Sequence, residues 1–158
     1  MVIGSLVIYP RSVNFFMRKS LYMNILVPLD GSKYSEKALL HACDMAKNYQ
    51  SRLILLYVVE KSISINLLDR KEYLKILRKF GNKVLIQARE TSTLHGVDSK
   101  IVIKEGNIAN EIVKLAKKER CNLIIVGSKG LGATARFLLG SVSNKLANNS
   151  PCSVLIVK

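Results

Sequence analysis

Apolar residues in this chain fall into short runs, separated by stretches in which they recur every three or four positions. A short apolar run reads as a strand buried on both faces, and the three-to-four spacing reads as one face of a helix. The runs lie at residues 24–29 (NILVPL), 53–59, 99–104, 123–126 and 154–157. Ala38, Leu39, Ala42 and Ala46 mark a first helix, which starts behind Ser32 as its N-cap and runs to about Gln50. A connection over 60–67 leads to a long amphipathic helix over 68–94. That helix buries Leu74, Leu77, Val84 and Ala88 and is weakened by Gly81 inside it. Ile108, Ile112, Leu115 and Ala116 mark a third helix ending near Arg120. A short helix over 141–148 precedes Pro151 and the last strand.

Strands that alternate with helices predict an α/β fold: a single-domain, open, parallel five-stranded sheet with helices on both faces and right-handed crossovers. In such a sheet a ligand binds beyond the C-terminal ends of the strands, where the strand order reverses. Asp30 follows the first strand and Gly127 follows the fourth. If those strands are neighbours, both residues face one crevice.

The segment from Gly127 through Lys129, Gly130, Leu131, Gly132, Arg136 and Gly140 to Ser141 carries most of the chemistry. A strand running into a glycine-rich loop and then a helix start is suited to phosphate. Glycines let the backbone approach closely, and the N–H groups of the helix start meet the anion. Ser141 is placed to cap the last helix and to donate to a phosphate. Lys129 and Arg136 either pair with phosphates or stay solvated. Asp30, acceptor-only when ionised, can take a hydrogen bond from an amine or a ribose hydroxyl; its alternative is a plain turn residue in an Asp-Gly step.

Other readings of these residues fail. The Gly130-x-Gly132-x-x-Ala135 pattern follows the fourth strand rather than the first, with no acidic residue about 20 positions on, so it is not a dinucleotide fingerprint. No P-loop signature occurs, and no Ser/His/Asp or Cys/His set suggests a nucleophile; no catalytic residue is assigned. His41 and His95 are isolated. Cys43, Cys121 and Cys152 are odd in number and widely spaced, which argues against a disulfide framework and for a reducing compartment, hence a cytoplasmic location.

Length and charge add bounds. The 158 residues suit one domain. No apolar run approaches the roughly 20 residues of a membrane helix. The net charge of +14 favours anionic partners. Yet the basic residues form no nucleic-acid reader motif, and many of them (Arg70, Lys71, Lys75, Arg78, Lys79, Lys83) read as one solvated helix face. Residues 1–22 hold Arg11, Arg18 and Lys19 and no acid, and make a poor signal peptide. They read as an N-terminal appendage or a misassigned start, with 23–158 as the working domain; an extra edge strand over 3–8 is the alternative.

The pattern Ile25-Leu-Val-Pro28-Leu29-Asp30-Gly-Ser32, with Ser35 and Ala38, resembles the universal stress protein family. The spacing Gly127-x2-Gly130-x9-Gly140-Ser141 resembles that of its ATP-binding branch, and the stretch from Asn148 to Val157 is similar to the family's final strand. The resemblance covers about residues 23–158. It implies the sheet order 3-2-1-4-5 and an aspartate after strand one, here Asp30 with Pro28 and Leu29 beside it, that holds the nucleoside. It implies an adenine pocket lined by Val58 and Val126 and a ribose border at Glu105, Gly106, Asn107 and Ile108, where many members carry proline at the Ile108 position. It also implies nucleotide-holding positions at Gly127, Gly130, Gly140, Ser141 and Val142.

Taken together, these residues point to a protein that binds ATP, with Mg²⁺ or Mn²⁺ held through the phosphates. It would act as a nucleotide-dependent regulatory module in a stress response, with at most slow hydrolysis. The alternative is a partner-binding stress or assembly factor whose pocket is not used. The chain ends on an apolar strand from Val154 to Val157 at a sheet edge, and both that exposed edge and the resemblance imply a homodimer joined there.

Overall fold

A computed structural model describes residues 22–61, 67–132 and 139–158. The expectations on 1–21, including the edge strand over 3–8, and on Arg136 lie outside the described residues.

The elements alternate as the hydropathy pattern requires. β1 (Asn24–Pro28), β2 (Arg52–Glu60), β3 (Ser99–Gly106), β4 (Leu123–Gly127) and β5 (Ser153–Val157) are the strands. α1 (Lys33–Tyr49), α2 (Leu67–Leu94), α3 (Ile108–Lys118) and α4 (Ser141–Asn149) are the helices. All strand pairs are parallel, in the order β3-β2-β1-β4-β5. β1 is central and lies between β2 and β4, so the strand order reverses beside it.

Burial follows strand parity, because successive side chains point to opposite faces. Ile25, Val27, Leu53, Leu55, Tyr57, Leu123 and Ile125 meet α1 and α2 in one core. Leu26, Ile54, Leu56, Ile124 and Val126 meet α3 and α4 in the other. Two covered faces explain why the strand sequences show apolar runs rather than alternation. β3 extends two residues beyond its expected end because Glu105 and Gly106 still pair with Val59 and Glu60. β1 ends one residue early, although Leu29 N–H still donates to the Leu56 carbonyl at 2.8 Å.

Gly81 has a packing reason. A Cβ there would run into the Tyr57 ring, which also meets Phe80 edge-on. The helical cost of glycine is offset by seating an aromatic residue of β2 against α2. Along α2, Arg70, Lys71, Lys75, Arg78, Lys79 and Lys83 are all exposed. Of these, Arg78 reaches Glu105 at the end of β3, where Lys61 also binds the same carboxylate at 2.8 Å. These hydrogen bonds, Arg78 first, hold the Glu105 carboxyl at about 2.

Tyr22 packs against the α1 side of the core, edge-on to Tyr49. Cys43 and Cys121 are buried and Cys152 is half-buried; burial pushes the first thiol up to about 11 and the second up to about 12. Among the described residues, no helix is long and apolar enough to cross a membrane.

Candidate functional site

The site is built where three chain segments meet at the C-terminal ends of β1 and β4. After β1 the backbone turns sharply through Gly31, whose φ of +84° favours glycine. Asp30 stabilises this turn by accepting from Ser32 N–H at 3.0 Å, the short-range bond typical of aspartate in turns. Ser32 then caps α1, its Oγ accepting from Ser35 N–H at 3.2 Å, as its position before the helix predicted.

After β4 the chain enters the glycine loop, and the base of that loop is tightly sewn. Ser128 N–H donates to the Val157 carbonyl at 2.7 Å, and Gly140 N–H donates to the Ser128 carbonyl at 2.7 Å. Ser143, buried in α4, shares its hydroxyl proton between the Ser128 and Gly140 carbonyls, each at 3.0 Å. Sequence reasoning passed over Ser143; its only signal was a hydroxyl on the buried side of a short helix.

The glycines differ in what they do. A Cβ on Gly127 would come within 2.7 Å of the Tyr34 carbonyl carbon and 2.9 Å of Ser35 N. That glycine lets α1 lie against the end of β4. A Cβ on Gly140 would sit 3.3 Å from the Ser128 carbonyl oxygen, so this position closes the loop's base. A Cβ on Gly130 would be 2.6 Å from Asp30 Oδ2, while one on Gly132 would meet nothing within 4 Å. Gly106 has φ of +149° and lies beneath the Glu111 side chain.

The expected cap on α4 is corrected. Gly140, not Ser141, is the N-cap, and it makes no side-chain cap bond; Ser141 is the first helical residue and is exposed. The chain leaves Gly140 in extended conformation with ψ of 165°, a geometry that glycine's lack of a side chain allows against the Ser128 carbonyl. The first N–H groups of a helix have no partner within it, and among the described residues no side chain supplies one.

Pro28, Val58 and Val126 share one face of the sheet. Pro28 has the parity of Leu26, and Val58 and Val126 pack in the core beneath α3 and α4, as does Val142. Leu29 points the other way, into the α1–α2 core, and offers the crevice only its backbone. Asp30 is half-buried between the two loops, and Lys129 is half-buried beside it. Gly106 closes β3 one strand farther out. His41 is exposed on α1, and His95 contacts the Thr91 carbonyl through Nδ1; neither belongs to the crevice. A separate cleft of about 260 Å³ between α3 and α4, lined by Ala109, Asn110, Val113, Lys114, Lys145 and Asn149, shares no residue with it.

An open parallel sheet with a glycine-rich turn at the point of strand reversal defines a class: α/β proteins that take their ligand at a topological switch point. Within that class the sequence profile of the universal stress protein family matches residues 21–158, and the chain belongs to that family. It is 34% identical over 143 residues to a universal stress protein of Methanocaldococcus jannaschii, covering 89% of this chain and 84% of the relative. Its fold is similar to UspA from Lactobacillus plantarum, with a TM-score of 0.82 at 26% identity, covering 88% of this chain and 99% of the other. A universal stress protein solved in complex with cAMP is 29% identical, with a TM-score of 0.69 and the same coverage, 88% and 99%.

Proposed function

We propose that this protein binds an adenine nucleotide in the crevice between the β1 turn and the glycine loop, and that the nucleotide is ATP. The observation that carries the reading is the arrangement at the end of the sheet. Pro28, Val58 and Val126 form an apolar wall on one face, beside a helix start that carries no side-chain cap and a loop closed tightly at Gly140. An apolar wall suits a purine, and the N–H groups of a helix start suit phosphates. The relative solved with cAMP, itself an adenine nucleotide, supports the same assignment.

In this reading Pro28, Val58, Val126 and Val142 flank the base. Asp30 and Gly106 border the nucleoside, with Leu29 contributing backbone. Gly127, Lys129, Gly130, Gly140 and Ser141 hold the phosphates, and the phosphates bring Mg²⁺ or Mn²⁺ with them. No general base stands in the described part of the loop, so hydrolysis is slow and the protein works as a nucleotide-dependent regulatory module. Residues 23–158 are the working domain, with 1–22 appended to it. Two copies pair through β5, an edge strand on which Leu155 is exposed and Val154 and Ile156 are half-buried.

Isothermal titration with ATP, AMP and cAMP tests the assignment. The expected ATP affinity is micromolar to sub-millimolar, on the order of −5 to −8 kcal/mol. Absence of heat and of any thermal shift at millimolar concentrations of all three overturns it. A kcat at or above about 1 s⁻¹, ordinary for an enzyme, overturns the regulatory-module reading, and a monomer at micromolar concentration in light scattering overturns the dimer.

A further inference from the structure

We infer that Asp30 is a positioning residue that latches the front of the glycine loop to the β1 turn and so sets the loop's aim. This goes beyond the nucleoside contact proposed above and rests on that reading only for its effect on ligands.

Three consecutive loop residues are held from the β1 side. The Lys129 carbonyl accepts from Ser32 Oγ at 3.4 Å. Gly130 lies so close to Asp30 that a Cβ would stand 2.6 Å from Oδ2. Leu131 N–H donates to the same Oδ2 at 3.1 Å, from 101 residues away. The base of the loop is fixed separately, through Ser128, Gly140, Ser143 and Val157. The front is therefore held by Asp30 and Ser32.

The carboxylate is well suited to this. Its Oδ1 is anchored by Ser32 N–H, which leaves Oδ2 pointing across the crevice in a fixed direction. A hydrogen bond to an ionised acceptor is stronger than a neutral one. A negative charge next to a proposed phosphate loop does not attract the phosphates, so its presence there is better explained by holding the loop than by meeting the anion. Gly130 is then glycine because the carboxylate occupies its side-chain space.

The test is a two-by-two set in the full chain: wild type, Asp30→Ala, Gly130→Ala and the double variant, each checked for folding by circular dichroism. Amide hydrogen exchange of Leu131 without nucleotide reads the latch directly. It should speed up at least tenfold in Asp30→Ala and in Gly130→Ala, with the amides of β4 unchanged. Removing the carboxylate makes room for the methyl group, so Gly130→Ala should add less than twofold in the Asp30→Ala background. Unchanged Leu131 exchange in folded Asp30→Ala, or equal effects of Gly130→Ala in both backgrounds, overturns the latch.

Titration then asks what the latch does for ligands. Asp30→Ala should lower affinity for ATP at least tenfold more than for adenosine. Equal losses overturn the role in aiming the phosphate loop. A wild-type protein that binds neither ligand defeats the nucleotide assignment, and the exchange data still decide the latch.

Discussion

The turn after β1 and the loop after β4 sit side by side and are built in opposite ways. The β1 turn is short and shaped from within. Asp30 bonds Ser32, Ser32 caps α1, and Gly31 takes the left-handed step between them. The described parts of the glycine loop are shaped from outside. Its base is set by β5 and α4, and its front by Asp30 and Ser32. Glycines let the second loop approach its supports, whereas hydroxyl and carboxylate side chains let the first act as its template. A loop of many glycines has high conformational entropy, and a rigid neighbour is the economical way to fix it.

Substitutions separate the two designs, and the largest effect falls where they share backbone. Gly127→Val should cost at least about 3 kcal/mol, because its side chain meets the backbone of α1 rather than a movable group. Gly132→Ala, with nothing within 4 Å, should stay within about 0.5 kcal/mol. Urea denaturation of both checks the contrast. Gly130→Val should keep the fold within about 1 kcal/mol yet weaken ATP binding at least 100-fold, about 2.7 kcal/mol; retained affinity in a folded variant shows that the loop is not the cradle.

Smaller effects test the turn. Gly31→Ala puts a side chain at φ +84° and 3.1 Å from the Phe80 ring, for a loss of about 1–2 kcal/mol by the same denaturation. Ser32→Ala should cost about 1 kcal/mol and, unlike an ordinary cap variant, should also speed exchange in the glycine loop, whose Lys129 carbonyl it releases. The smallest effect lies at the far edge of the sheet. Glu105 is ionised down to about 2 in the folded chain, against about 4.5 ordinarily. Its depressed value means that its contribution is full above about 4.5 and is lost as pH falls toward 2. Glu105→Gln should flatten the pH dependence of the melting temperature in that window and lower the melting temperature slightly at pH 7, where the carboxylate's contribution is full.

Much of this was legible in the chain. Apolar runs such as 53–59 announce strands covered on both faces, and Ser32 announces a helix start. The ends of elements were less so: β3 runs on to Gly106 because β2 offers it partners, a fact of pairing rather than of local sequence. The glycines were legible as a group and not one by one. Gly127 answers to Tyr34 on α1, Gly130 to Asp30, and Gly81 to Tyr57, each through a contact distant in sequence. Spacing reveals that a backbone must come close to something; only the fold reveals to what. Ser141 looked like a cap by residue type, but Gly140 takes that position and Ser141 opens the helix where the pattern put its start.

The strand order also has a consequence for how the molecule comes together. β1, β2 and β3 follow one another along the chain and pair as neighbours, each through a single helical crossover. β4 must instead return past β2 and β1 to pair on the far side of β1, and it brings β5 with it. Non-local pairings of this kind carry a larger loop-closure entropy than pairings of successive strands. The crevice straddles the seam between the three strands paired in chain order and the two that return to β1. A ligand that bridged this seam would act as a clasp on the sheet, opposing the departure of the C-terminal pair.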